Sequence, residues 1–233
     1  MKTIKVVLLL GISLFYTFKV WSQNSILNMP EHDSKQYYFG IALGVNMSAY
    51  KLSYTPTYAT TDDFSKIQPQ NGPGFTMGII GNLQLSRYVN LRFIPALTFA
   101  NKTIESVGIN PNNTAVRNVE SIYTSLPLQI KFKSDRIRNF KFYSIVGSKF
   151  DYDLASNAKS RREDEWLKIK PYDVGAEIGV GFEFYFPNFI FSPEIKMSHG
   201  LMNLHQKDPL IPMSNQIDAI RTRSIMLTFM IEG

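Results

Sequence analysis

The sequence predicts an all-β protein, an eight-stranded antiparallel up-and-down transmembrane β-barrel. Three observations carry that reading. From Tyr172 to Phe186 the even positions are almost all large and apolar (Tyr172, Val174, Ile178, Val180, Phe182, Phe184, Phe186), while the odd ones are Asp173, Gly175, Glu177, Gly179, Gly181, Glu183 and Tyr185. Strict period-two alternation marks a strand with two unlike faces. It is also longer than the ~9–11 residues that a tilted strand needs to cross a bilayer. The second observation is that similar runs recur along the chain, joined by connections that alternate long and short. The third is that no long unbroken apolar run follows residue 22, so no membrane helix is expected there.

Residues 1–22 read as a secretory signal peptide. Lys2 and Lys5 form the basic start, Val6 to Phe18 the apolar stretch, and Val20-Trp21-Ser22 a processing site before Gln23. The apolar stretch is short and interrupted by Gly11, Ser13 and Thr17, which argues against a membrane anchor. Removing Lys2, Lys5 and Lys19 and no acid lowers the formal charge from +6 to +3. That balance is ordinary, and no basic run interleaves with aromatics, so no nucleic-acid partner is expected. The chain has no cysteine, which removes disulfides, thiolate metal sites and lipidation at an N-terminal cysteine.

Residues 23–36 are polar and read as an extended periplasmic leader, with the barrel domain spanning residues 37–233. The first strand places Tyr37, Phe39, Ile41, Leu43, Val45, Met47 and Ala49 on one face. The second places Phe75, Met77, Ile79, Leu83 and Leu85 there, and the third Val89, Leu91, Phe93, Leu97 and Phe99. Pro95 interrupts the third and suggests an edge or a bulge. Ile122, Leu126, Leu128, Ile130 and Phe132 mark the fourth strand, and the fifth runs to about Leu154. Strands six and seven form a hairpin about Pro187-Asn188, with Phe189, Phe191, Ile195 and Met197 outward in the seventh. The eighth carries Ile225, Leu227, Phe229 and Ile231.

Long polar loops are expected at Thr55 to Pro73, Asn101 to Arg117, Ala155 to Lys170 and Met202 to Asp218, and short turns between the other strands. In an up-and-down meander the four long loops fall at one end and the short turns at the other. That is the pattern of an outer-membrane barrel with its long loops outside. A soluble calycin-like barrel would show the same alternation. The inner faces here, however, are rich in Gly, Ala and Ser, as suits a cramped lumen. Aromatics also gather near strand ends (Tyr37, Phe150, Tyr152, Tyr172, Phe184, Phe186, Phe189), as suits interfacial girdles.

An eight-stranded barrel is filled by its own side chains. The predicted lumen face carries Arg92, Lys131, Lys141, Lys149, Glu177, Glu183, Glu194 and Lys196. Charges in such a space must be paired. Arg92, Lys131, Glu177, Glu183, Glu194 and Lys196 are therefore expected to form a structural charge network, in preference to a proton or ion path. A turn at Pro187-Asn188 sets Gly181 opposite Glu194 and Gly179 opposite Lys196, where the glycines leave room for long side chains. Ser198, His199 and Glu194 suggest a barrel lipid hydrolase, but adjacent strand residues point to opposite faces, so Ser198 and His199 cannot share a site. His205 falls in a long loop. No catalytic residue, cofactor or metal site is expected.

Several stretches resemble the PorT/SprT family of outer-membrane accessory proteins in gliding motility and type IX secretion. They are NMPEHDSKQYYFGIALGVN (Asn28 to Asn46), SLPLQIKFKSDRIRNFKFYSIVG (Ser125 to Gly147), Tyr152 to Leu154, the segment Asp173 to Asn203, and Ile231-Glu232. The resemblance implies a non-enzymatic integral outer-membrane barrel required for type IX secretion and gliding. Its partners would be outer-membrane lipid and other components of that machinery. A surface barrel that binds external ligands through its long loops is the alternative from a different class.

Overall fold

A computed structural model describes residues 26–56, 64–108, 114–154, 168–207 and 216–233. Eleven strands follow a short 3-10 helix, Pro30–Ser34. They are β1 (Tyr37–Tyr54), β2 (Phe64–Gln84), β3 (Val89–Phe93), β4 (Ala96–Gly108), β5 (Thr114–Lys133), β6 (Phe140–Asp153), β7 (Lys168–Ile169), β8 (Tyr172–Tyr185), β9 (Ile190–Gly200), β10 (His205–Gln206) and β11 (Ile217–Glu232). Each long strand pairs antiparallel with its neighbours, and β1 pairs with both β2 and β11, so the sheet closes on itself.

The barrel wall has eight staves, because β3 and β4 are one stave interrupted at Pro95. Phe93 faces Gly81 and Leu128, and Ala96 faces Gly78 and Ser125, so the register runs through without a shift. The ladder survives around the proline: Ile94 N donates to Pro127 O at 3.2 Å and Ile79 N to Pro95 O at 3.1 Å. The edge or bulge expected at Pro95 is therefore a break in hydrogen bonding only. A proline lacks the N–H, but its neighbours keep their places.

The two faces separate by parity. On β8 every odd position is buried and every even one exposed. Phe39, Ile79, Phe93, Leu128, Phe142, Val180, Ile195 and Leu227 all point outward and remain exposed. An apolar face this continuous around a closed barrel is the surface that meets lipid. Ala49 departs from the expected outward face of β1 and is buried. The pairs Gly181↔Glu194 and Gly179↔Lys196 stand opposite as the turn position predicts.

Two loop expectations need correction. β2 begins at Phe64, inside the loop expected from Thr55 to Pro73. β4 runs to Gly108 and β5 starts at Thr114, inside the loop expected from Asn101 to Arg117. These extensions are richer in polar residues, yet they pair with one another, β2 with β4 across two register shifts and β4 with β5 in continuous register. Polarity marks where the apolar belt ends, whereas the strand ends only where its pairing does. Pro69 fits there because β1 pairs with β2 only from Leu83 to Gly72, which leaves that edge of β2 free near Pro69. The third and fourth long connections are also partly ordered. His205 pairs with Ile169 and Gln206 with Lys168, so His205 lies buried in a short ladder rather than free in a loop. The expected signal peptide lies outside the described residues.

Candidate functional site: a charged lumen and a capped mouth

The inward residues of the staves stack into layers. In the central layer Arg92 Nη2 lies 2.5 Å from Glu194 Oε2, with neither side chain reaching solvent. The same guanidinium forks onto Gln129 Oε1, from Nε at 2.9 Å and Nη2 at 2.7 Å. Gln129 Nε2 passes the chain on to Glu177 Oε2 at 2.5 Å, and Lys196 Nζ stands 3.7 Å from that oxygen. Tyr143 donates its hydroxyl to Glu194 at 2.9 Å. Four charged residues from β3, β8 and β9 are thus joined through one neutral amide on β5.

The next layer lies toward the short turns. Lys131 Nζ is 2.5 Å from Glu183 Oε1 and 3.9 Å from Glu232 Oε1. Tyr185 donates to Glu183 at 2.7 Å, and Asn82 Nδ2 to Glu232 at 2.9 Å. The Tyr143 ring joins the layers, its centroid 4.2 Å from Lys131 Nζ and 5.7 Å from the Arg92 guanidinium carbon. Its position depends on Gly181, where a Cβ would fall 2.4 Å from Tyr143 Cζ. Gly181 therefore makes room for the tyrosine that holds Glu194, and for Glu194 only indirectly.

The remaining inward cations lie toward the two ends. Lys149 pairs with Asp151 at 2.6 Å on the long-loop side. Lys102 lies between the rings of Tyr50 and Tyr123, at 4.7 and 4.3 Å, and contacts the Tyr123 hydroxyl. These groups border a cavity of about 50 Å³, enough for a few waters at most. Glu232, Gln129 and Tyr143 complete the layers, and none was among the residues expected to form the network. Glu232 could have been found from parity, since it follows Thr228 and Met230 on the inward side of β11.

Lys141 does not join the central layers. It reaches down to Asp33 at 2.5 Å, in the segment before the barrel. That segment crosses the short-turn mouth. His32 is buried, with its ring 4.4 Å from Tyr38 and 6.1 Å from Tyr185. Burial pushes the His32 pKa down to about 4, against a smaller upward pull from Glu183. Arg136 binds the segment through the carbonyls of Asn28 and Met29 and through Asp33 Oδ2 at 3.3 Å, while its guanidinium lies 3.8 Å over the Tyr185 ring.

Ser198 is buried on the lumen face, and His199, next to it on β9, is only half-buried. The two point to opposite faces. Among the described residues no His, Asp or Glu group is arranged to hold a metal ion, and no helix is long and apolar enough to cross a membrane.

Comparison with known sequences agrees with this geometry. The family described as outer membrane protein β-barrel domain matches residues 21–206. The chain belongs to that family. It is an outer-membrane β-barrel protein, with its apolar belt in lipid. A search of curated proteins found no match. Among solved structures it is similar to Neisserial surface protein A, at 8% identity over 83% of this chain and 96% of that one, with a TM-score of 0.44. OprG of Pseudomonas aeruginosa is similar at 14% identity over 84% and 92% of the two chains, with a TM-score of 0.42. The attachment invasion locus protein Ail of Yersinia pestis is similar at 14% over 85% and 100%, with a TM-score of 0.38.

Proposed function

We propose that this barrel is a non-enzymatic, non-conducting component that supports type IX protein secretion and gliding from within the outer membrane. The observation that carries the reading is the filled lumen. Paired charges from five staves occupy its centre, so a role in export works through contacts with other proteins rather than through passage of cargo along the barrel axis. The segments Asn28 to Asn46, Ser125 to Gly147 and Asp173 to Asn203 support the assignment through their resemblance to the PorT/SprT family. Its partners are outer-membrane lipid around the belt and other export or gliding components at the two ends. Deleting the gene tests this: loss of type IX cargo from the medium and loss of surface spreading is the expected result, and both remaining intact would refute it.

A second reading rests on the asymmetry of the connections. β2, β4 and β5 carry polar extensions past the apolar belt on the long-loop side, and such extensions suit binding of an external ligand. Replacing residues 155–170 or 202–218 with short linkers should abolish surface binding and leave secretion normal if this reading holds.

A further inference from the structure

The segment across the short-turn mouth is held more firmly than a leader requires. Five residues on the barrel rim bond four residues of it, Ile26, Asn28, Met29 and Asp33. Arg136 binds two successive backbone carbonyls and the Asp33 carboxylate, and Lys141 takes the other oxygen of that carboxylate. Asn139 accepts from Asn28 N at 2.9 Å and donates to Ile26 O at 2.9 Å. Gln84 Nε2 donates to Asp33 O at 3.1 Å, and Tyr185 O accepts from Asn28 Nδ2 at 2.8 Å. His32 fills the remaining gap between Tyr38 and Tyr185.

The grip has two features of a recognition site. The cationic side chains are themselves buried, with Arg136 at 8% and Lys141 at 7% exposure, whereas Asp33 keeps 37%. Buried cations need a carboxylate partner: Asp33 meets both Arg136 and Lys141, while Asp135, beside Arg136 in the chain, pairs with Arg87 at 2.8 Å. The rim also reads peptide backbone, through bonds to the carbonyls of Ile26, Asn28, Met29 and Asp33. A guanidinium stacked on a tyrosine and forked onto carbonyls is a rigid, preorganised donor.

We infer that the periplasmic mouth is a peptide-binding site for a short segment bearing one carboxylate, filled in cis by residues 26–34, with Arg136 as the residue that recognises the bound backbone. While the site is filled, the lumen is shut to the periplasm. Its ligand is this chain's own leader, tethered at Tyr37 and so present at a high effective concentration.

Hydrogen–deuterium exchange on the whole chain in detergent tests the docking. The amides of His32 and Lys35, bonded to Met29 O and His32 O, should be protected. Arg136→Ala should speed their exchange at least tenfold and leave residues 172–200 unchanged, while Arg87→Ala, at an exposed pair on the same rim, should change neither. Unprotected amides in the wild type, or equal rates in Arg136→Ala, would overturn the inference. A second variant tests recognition. In a chain whose residues 26–34 are replaced by a Gly/Ser stretch of equal length, a fluorescent peptide spanning Asn24 to Lys35 should bind saturably, and adding Arg136→Ala should remove that binding. No binding to the vacated chain would show that the mouth holds no peptide site. Neither result depends on secretion, so failure here is distinct from failure of the export role.

Discussion

The carboxylate of Glu194 and the guanidinium of Arg92 meet at 2.5 Å in the middle of the barrel, each fully buried. They come from β9 and β3, staves that are not neighbours in the sheet. The pair therefore spans the lumen, and with Gln129, Glu177 and Lys196 it closes the axis where a channel would have to run.

Removing one partner of that pair leaves a buried, uncompensated charge. Glu194→Ala should cost about 3–5 kcal/mol in urea unfolding of the barrel refolded in lipid vesicles. Asp135→Ala, at the exposed Arg87 pair, should stay within about 1 kcal/mol of wild type. The double change Arg92→Met with Glu194→Leu should cost less than Glu194→Ala alone, because no charge is then left unpaired. Equal stability for Glu194→Ala and wild type would place Glu194 outside the lumen.

Gly181 and Tyr143 give a steric test of the same layer. A side chain at 181 displaces the Tyr143 ring, so Gly181→Val should destabilise the barrel by about 1–3 kcal/mol. Tyr143→Phe keeps the ring and removes one bond to a charged acceptor, for a loss of about 1.5–3 kcal/mol. The combined variant should cost less than the sum, since the two residues act on one contact. Additive losses would separate them.

Acid should loosen the cap. His32 is held at about 4 by burial, against 6.5 when displaced. Between those values the displaced segment takes up a proton that the docked one does not. Docking thus weakens as pH falls from about 6.5 to about 4 and is constant in this group below that. Asp33 acts in the same direction at lower pH. Burial pulls its pKa up, but the hydrogen bond and charge of Lys141 together with Arg136 hold it below its ordinary 3.8, so its contribution is present above 3.8 and is lost below. Around His32 lie Tyr38 and Tyr185 with Glu183 and Asp33, which pull its pKa up, and Lys35 and Lys133, which push it down; burial is the largest effect and sets the direction. NMR titration of the His32 ring in micelles should give an apparent pKa near 4 in wild type and a value moved toward 6.5 in Arg136→Ala. An unshifted His32 in wild type would mean the cap is open.

Much of the barrel was legible because period-two alternation reports the lipid face directly, and the turn at Pro187-Asn188 then fixes which residues oppose. The lumen positions of Arg92, Lys131, Glu177, Glu183, Glu194 and Lys196 follow from parity alone. Their partners across the barrel do not, because parity says nothing about which staves face each other over the axis; hence Gln129 and Tyr143 were not seen as the links. Strand ends were misplaced at Phe64, Gly108 and Thr114 because a solvated strand and a loop share the same polar residues. The cap was illegible for a different reason. Residues Asn28 to Ser34 have no period, and their partners Arg136, Asn139 and Lys141 lie in the β5–β6 connection and at the start of β6, more than a hundred residues away.

Single-channel recording of the refolded protein in planar bilayers addresses the central claim, that the barrel is closed along its axis. With the Arg92–Glu194 layer intact and the mouth capped, the membrane should show no steady conductance above background. A stable open level that is present in wild type and insensitive to Arg136→Ala would contradict the account, because ions would then be crossing a lumen that the charge network is held to fill.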